Sequence, residues 1–458
     1  MSKFIQSDGR VIYTQTSLTK EQKEAAGLLS IGTFLEYFDM MLYIHMAVLL
    51  NELFFEPADP YTASLMSAFA FCSAYALRPI GALVFGWLGD NIGRKTTVII
   101  TTFIMALACF VIAVLPTYEQ IGFSASCILT LCRIMQGMAA MGEGTGAELY
   151  LTETIKPPMR YPIAGLPATF SAIGATSALA VASFVTSFGL NWRLAFFVGA
   201  VVALIGTIAR TTLRETPDFA DAKKRLSQIV EDLDKNPQLL QDSVIWKEKV
   251  KVKTAFSLFL IQCMWPVAFY FIYIHCGNIL KNSFGYSAEQ VIHQNFVVSS
   301  GQLISYLLIV YLSYKIYPLH IIKTKLRMFA FLVLICPYLL DNITSGVLQL
   351  MFLQIFMVIT VPTDFPAASI FYMHFPVFKR YTYACLMYAL SRAIMSIIVS
   401  FGLVYLINYF GNWGIWVIML PIIWGYKFGL SHFETLEKMA GNYPEKKNSS
   451  VYNSHQIL

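Results

Sequence analysis

Apolar runs long enough to cross a lipid bilayer recur twelve times along this chain of 458 residues. They lie near 27–50, 61–88, 96–116, 126–150, 162–187, 192–211, 254–276, 290–313, 326–340, 346–370, 381–408 and 412–430. A helix crossing the hydrocarbon core needs roughly 20 residues, and there every backbone N–H and C=O must be satisfied within the protein. The fold class these runs imply is an all-α membrane protein of twelve transmembrane helices, the longer ones tilted or extending past the bilayer. Composition agrees: 57% of residues are hydrophobic and only 13% charged, against about 25% charged in a soluble domain. The formal charge of +6 is gathered in particular loops, so it reports on topology and gives no sign of a nucleic-acid partner. No cleavable signal peptide is expected, because the segment through Lys23 is polar and the first apolar run is long enough to span. The eight cysteines lie in or beside apolar runs without Cys-x-x-Cys spacing, the pattern of small buried residues, with no metal or cofactor expected.

Loop charges set the expected orientation. Lys20 and Lys23 precede span 1; Arg94 and Lys95 follow span 2; Lys156 and Arg160 follow span 4; Arg210 and Arg214 follow span 6. Lys315 and Lys323 follow span 8, Lys379 and Arg380 follow span 10, and Lys427 closes span 12. The opposite loops carry Glu52, Glu56, Asp59, Glu119 and Asp341, with Lys281 the one basic exception. By the positive-inside rule both termini are cytoplasmic. The longest polar stretch, with an amphipathic run from Ala222 to Leu233, divides six spans from six. The expected division is a segment 1–26, a helical bundle 27–211, a linker 212–253, a second bundle 254–430 and a tail 431–458, disordered from Glu437.

Between spans 2 and 3 stands Gly86-Trp87-Leu88-Gly89-Asp90-Asn91-Ile92-Gly93-Arg94-Lys95. A polar turn that tight calls for glycine, and Arg94 and Lys95 hold it on the cytoplasmic side. The spacing Gly-x-Leu-Gly-Asp-x-x-Gly-Arg-Lys resembles the helix 2–3 loop signature of the major facilitator superfamily. Gly32-Thr33-Phe34-Leu35-Glu36-Tyr37-Phe38-Asp39 is similar to the opening of its metabolite:proton symporter family, which includes proline/betaine, ketoglutarate, citrate and shikimate carriers. Arg78-Pro79-Ile80-Gly81-Ala82, Arg133-Ile134-Met135-Gln136-Gly137 followed by Gly142-Glu143 and Glu153, Trp192-Arg193, and Leu213 to Phe219 resemble the same family. The likeness covers the first half closely and the second loosely. Tyr314 stands where the second-half copy of the loop has aspartate, and Tyr388-Ala389 where a tyrosine-asparagine pair is expected. The resemblance implies two six-helix bundles around a central cavity, rocking between inward-open and outward-open states, functional as a monomer and without a cofactor.

Ionisable residues within the spans are the functional candidates, since each costs about 2.5–3.5 kcal/mol at a helix centre on insertion scales. Glu36, Asp39 and Tyr43 share one helical face by spacing. Two carboxylates that close in a low-dielectric interior do not readily ionise together, so one holds a proton; the alternative is a structural pairing with Arg133. In span 4, Gln136 and Glu143 face one way, with Arg133 a turn earlier; the resemblance associates this arginine with proton transfer. Glu36, Asp39, Arg133 and Glu143 are therefore the proton-coupling candidates. Glu148 and Glu153 are read as partners of Arg94, and Gly86, Asp90, Gly93, Arg94, Lys95 and Glu153 as a gate. Tyr43, Gln136 and three residues late in span 7 (Tyr273, His275, Asn278) are substrate-binding candidates, because a discontinuous helix there can meet a solute. His275, which changes charge near neutral pH, is equally well read as an interfacial histidine.

Arg392 lies about 11 residues into span 11, roughly 16 Å deep at 1.5 Å per residue. An arginine stays protonated there and needs an anion. Asp364, flanked by Pro362 and Pro366 in a broken span 10, can supply it as a structural ion pair; otherwise a carboxylate on the solute completes the site. The function expected is proton-coupled uptake of a small organic solute, carboxylate-bearing or zwitterionic, at a bacterial inner membrane; its partners are that solute, protons and the lipid bilayer. Export by proton antiport is the alternative, although Gly165-Leu166-Pro167-Ala168 does not fit the span 5 stretch usual in antiporters of the superfamily. A non-transporting sensor of the same fold is a further alternative. No enzyme is expected, since no His-x-x-x-x-Asp or His-Glu-x-x-His arrangement occurs and Ser17-Leu18-Thr19-Lys20, in the polar segment before span 1, is the one Ser-x-x-Lys.

Overall fold

In the third helical segment of the chain, Ile100, Phe103, Leu107, Phe110 and Val114 point outward, while Thr97, Thr101, Thr102 and Cys109 point inward. Large apolar side chains outside and small or polar ones inside invert the soluble pattern and suit a helix whose outer face meets lipid. The same holds for Leu204, Ile205 and Ile208 further on, and for Phe331 and Leu334 in the second half. This computed structural model describes residues 2–5, 11–55, 75, 77–211, 249–342 and 346–444, with some side chains left out, among them those of His45, Glu52, Asp90, Arg94, Glu143 and Arg210. Among the described residues, seven helical stretches are long and apolar enough to cross a membrane.

The helices run α1 (Lys20–Phe54), α2 (Arg78–Asn91), α3 (Arg94–Val114), α4 (Phe123–Thr154), α5 (Leu166–Ser187) and α6 (Arg193–Arg210) in the first half. In the second come α7 (Val252–Gln262), α8 (Cys276–Phe284), α9 (Ala288–Lys315), α10 (Pro318–Asp341), α11 (Val347–Thr360), α12 (Ala368–Met373), α13 (Val377–Phe410) and α14 (Ile415–Met439). A short helix (Met264–Phe269) and a π-helical turn (Tyr270–His275) join α7 to α8. Ahead of α1 lies a hairpin, Ser2–Ile5 against Val11–Thr14, which the sequence reading did not foresee. The amphipathic run Ala222–Leu233, Cys72, Glu56 and Asp59 lie outside the described residues.

Contacts fix which helix ends lie together. Gln22 on α1 donates to the Thr154 carbonyl at the end of α4; Arg380 on α13 reaches Glu153; Tyr161 packs edge-on against Tyr317 at the α9–α10 corner. Lys95, Lys156, Lys315 and Lys323 gather at this end, here called the basic end. The opposite end carries Lys281 and also Arg193, a second basic exception. Its guanidinium donates to the Leu115 carbonyl at 2.8 Å and lies over the Trp192 ring, so its charge is held by the protein.

Several boundaries differ from expectation for readable reasons. Span 9 starts at Pro318, because proline at a first helical position costs no hydrogen bond. The helix that carries span 12 runs past the expected span into the segment drawn as tail: α14 continues to Met439, and Glu437, expected in a disordered tail, is buried and accepts from Tyr317 at 2.6 Å and bonds His374 at 2.8 Å. Span 10 breaks between Thr360 and Ala368, as the prolines suggested. The freed backbone groups find partners: Tyr426 donates to the Thr363 carbonyl at 2.6 Å, and Ala367 N–H to the Asp364 carbonyl. At the π turn, Gln354 donates to the Ile272 carbonyl at 2.6 Å.

Candidate functional site

A cavity of about 90 Å³ lies between the two halves of the chain, walled by α1, α4 and α5 on one side and α9, α13 and the broken parts of spans 7 and 10 on the other. Two kinks open it: the π turn brings Tyr273 to the wall, and the break before α12 brings Asp364 and Phe365. Three acids line it, Glu36, Glu148 and Asp364, with one base, Arg392. The Glu36 carboxylate fits because residue 144 is glycine; a Cβ there would stand 3.2 Å from its Oε2. Glu148 accepts from Tyr372 Oη at 3.0 Å, across the halves. Tyr273 donates to Gln302 at 2.9 Å.

Asp364 and Arg392 are not an ion pair within 4 Å. Gln262 stands between them: its side chain donates to Asp364 Oδ2 at 2.8 Å, and its backbone carbonyl accepts from Arg392 Nη1 at 2.7 Å. The guanidinium also lies 4.2 Å over the Tyr388 ring, and Tyr388 bonds Tyr37 of the first half, hydroxyl to hydroxyl, at 3.1 Å. Arg392 is thus held by a carbonyl and a π face, which leaves its charge to act on the cavity.

Asp39 departs from the expected shared face. Residues three apart on a helix are offset by about 60°, enough for Glu36 to line the cavity while Asp39 turns into the first half. There Cys109 Sγ donates to Asp39 Oδ1 at 2.7 Å, Gln136 donates to Cys109 Sγ, and Arg133 donates to Gln136 at 2.9 Å while capping the Tyr43 ring at 3.8 Å. Tyr43 and Gln136, expected to touch substrate, belong to this cluster and do not line the cavity. His275, the last residue of the π turn, stacks on Phe271 and does not line the cavity, and Asn278 on α8 is exposed. Of the expected substrate residues the cavity keeps Tyr273 and Arg392.

The basic end is closed across the halves. Arg380 Nη1 donates to Glu153 Oε1 at 3.1 Å with both side chains nearly fully buried, and Arg380 Nε donates to the Phe375 carbonyl. Glu153, read as a partner of Arg94, thus bonds a residue of the other half. Glu148, given the same reading, lines the cavity; the Arg94 side chain lies outside the described residues. Gly89, read as a turn residue, lies inside α2, as does Gly86 of the gate reading. They serve close approach: a Cβ at Gly86 would stand 3.2 Å from Thr382 Cα, and one at Gly89 would stand 3.0 Å from the Tyr381 ring. Gly146 on α4 faces the same tyrosine. The turn itself needs only Gly93, at φ 133°. Lys95 is the second residue of α3, which begins beside it.

Sequence reasoning missed Tyr372, Tyr381, Gln262 and Trp265. Tyrosines opposite glycines carry no signal in one chain, because each pair joins residues more than two hundred positions apart. Glu148 did carry one, an acid two residues from Gly146 in an apolar span.

A family model described as the Major Facilitator Superfamily matches residues 29–400. The inner membrane metabolite transport protein YhjE of Escherichia coli (strain K12) is 37% identical over 209 residues, 43% of this chain and 47% of that protein. The proline/betaine transporter of the same strain is 28% identical over 290 residues, 61% of this chain and 57% of the relative. The chain thus spans about half the length of the curated relatives it matches. Both are transporters, in line with the expectation that the chain is not an enzyme. Among solved structures, the proton:xylose symporter XylE bound to 6-bromo-6-deoxy-D-glucose superposes with TM-score 0.71 at 14% identity, over 92% of this chain and 96% of that one. At that identity the likeness speaks for the fold.

Proposed function

The chain belongs to the Major Facilitator Superfamily and is a multi-pass membrane protein, and from that premise we propose that it is a proton-coupled symporter of a small carboxylate-bearing or zwitterionic metabolite. On this reading twelve spans form two six-helix bundles, 27–211 and 254–430, joined by the linker 212–253. The protein works as a monomer in a bacterial inner membrane with both termini cytoplasmic, so the basic end faces the cytoplasm.

One observation carries the reading: a cavity between the halves that holds Glu36, Glu148, Asp364 and Arg392 together. Groups placed there are the ones whose surroundings change when the halves rock. Arg392 grips the solute carboxylate, and the acids and aromatic walls receive its positive part. Glu36 is the first candidate for the proton, taken up from one aqueous face and released to the other; Asp39 with Arg133, and Glu143, follow. Solute release to the cytoplasm requires Glu153–Arg380 and Tyr372–Glu148 to part. A proton moving down 100 mV supplies about 2.3 kcal/mol per charge to drive the cycle.

The test is uptake of labelled proline, glycine betaine, 2-oxoglutarate, citrate and shikimate into proteoliposomes, with and without an imposed pH gradient. Accumulation that needs an acidic exterior is expected for at least one solute. Gradient-driven expulsion would move the protein to antiport, and no movement of any solute would overturn the reading.

A further inference from the structure

Gln262 is the last residue of α7, and Pro266 follows four residues later in the short helix that continues the span. Proline has no N–H, so the Gln262 carbonyl lacks the donor that an unbroken helix would give it. Arg392 Nη1, from α13, takes that place at 2.7 Å. The side chain of the same glutamine donates to Asp364 Oδ2 at 2.8 Å, in the break of span 10. One residue, 3% exposed, thus offers an acceptor to the base of the cavity and a donor to one of its acids.

Opposite charges in a poorly hydrated interior attract strongly. A direct Asp364–Arg392 pair would cancel most of what each presents to a solute, yet the two stand apart, each bonded to a neutral group of Gln262. Neither charge can move to the other without giving up that hydrogen bond. The Tyr388 ring, 4.2 Å from the guanidinium, steadies the arginine from its own helix. Because an amide and a carbonyl carry no net charge, they hold both groups without neutralising them.

Resting on the transport reading above, we propose that Gln262 is a positioning residue that holds Asp364 and Arg392 apart as an open pair of opposite charges, so that the cavity selects a solute bearing both a carboxylate and a cationic group over a dicarboxylate. A dipolar solute meets both charges at once, its carboxylate on Arg392 and its cation on Asp364. A dicarboxylate meets Arg392 with one end and sets the other among Glu36, Glu148 and Asp364, where like charges repel. Pro266 belongs to the device, since it keeps the Gln262 carbonyl free for the guanidinium.

A double-mutant cycle on the purified full chain in detergent tests the spacer without any solute. Asp364→Asn, Arg392→Gln and the two together are made in the wild-type background and again with Gln262→Leu, and midpoints of thermal unfolding are compared. With Gln262→Leu the charges meet, and their coupling should exceed the wild-type coupling by about 2 °C or more. Pro266→Ala returns the helical donor to the Gln262 carbonyl and should raise the coupling by a smaller amount, which answers the question even if Gln262→Leu does not fold. A coupling no larger in either altered background than in the wild type would overturn Gln262 as the spacer and leave the transport reading standing.

Equilibrium dialysis with proline and 2-oxoglutarate tests the selection. The wild type should hold proline about tenfold more tightly or better, and Gln262→Leu should weaken proline by about tenfold. Gln262→Leu with Asp364→Asn, which frees Arg392 among fewer acids, should shift the preference towards 2-oxoglutarate. A wild type that binds 2-oxoglutarate as tightly as proline would overturn the selection. A wild type that binds neither, and transports none of the five labelled solutes, would remove the transport reading and the selection together, while the unfolding cycle still decides the spacer.

Discussion

The Asp39–Arg133 cluster and the central cavity both bury ionisable side chains in an apolar surrounding, yet they satisfy them in opposite ways. Asp39, Cys109, Gln136, Arg133 and Tyr43 all belong to α1, α3 and α4, so their hydrogen bonds stay within the first half of the chain. The cavity groups reach across, Glu148 to Tyr372 and Tyr37 to Tyr388, although Arg392 and Asp364 are joined through Gln262 within the second half. A network inside one body can move with it unchanged. A network between two bodies must be remade each time they shift, and so can link protonation or solute to the shift.

The largest expected effect tests that distinction. Glu36→Gln should abolish pH-driven accumulation in proteoliposomes, leaving counterflow exchange of solute in place. Asp39→Asn should keep uphill accumulation and lower its rate less than tenfold, since asparagine still accepts from Cys109. The reverse result, with Asp39→Asn abolishing accumulation and Glu36→Gln sparing it, would place the proton site in the sealed cluster and break the comparison.

Next in size is the buried pair at the basic end. Removing one partner of a buried, hydrogen-bonded ion pair typically costs on the order of 3–5 kcal/mol. Glu153→Gln should therefore shift the protein by about a hundred-fold or more towards the form open at the basic end. Cys385, whose thiol donates to the Met141 carbonyl across the halves, reports this: its maleimide labelling should quicken accordingly. Unchanged labelling would mean that Glu153–Arg380 is not what holds that end closed.

The smallest effect sits outside the membrane. Glu434 on α14 bonds Lys323 at 2.7 Å and Lys438 at 2.9 Å. Partial burial acts to raise its pKa, but the two lysines outweigh that and hold it down to about 2. A carboxylate held low adds stability above its unfolded value of about 4.3, and loses it as pH falls towards 2. Amide exchange in the last turn of α14 should quicken as pH drops from 5 to 3, beyond the intrinsic pH trend, and Glu434→Gln should remove the excess. An excess that persists in Glu434→Gln would mean that Glu434 is not its source.

The fold was legible because its cause is local: length and apolarity decide a span before any partner is known, and Pro362 and Pro366 announced the break in span 10. Arg392 was legible for the same reason, being a charge at depth. The partners were not. Nothing in one chain tells that Gln262 stands between Asp364 and Arg392, or that Glu153 meets Arg380. Spacing misled where small angles matter, as when Asp39 turned away from Glu36. Composition misled at the chain's end, where the polar residues around Glu437 read as a solvated tail although they form the underside of a docked helix.

Gly86, Gly89 and Gly146 present bare backbone to α13, where the flat ring of Tyr381 and the small Thr382 meet them. In mechanical terms this is a plain bearing and not a gear. The contact is bare backbone against one rigid ring and a small side chain, so no long side chain has to change rotamer before the two surfaces part. Friction between the halves is then low along α2 and α13, and resistance to movement gathers at a few polar catches. Changing a catch retunes the timing of the motion and leaves its track unaltered; a bulkier residue on the bearing face would jam the track itself.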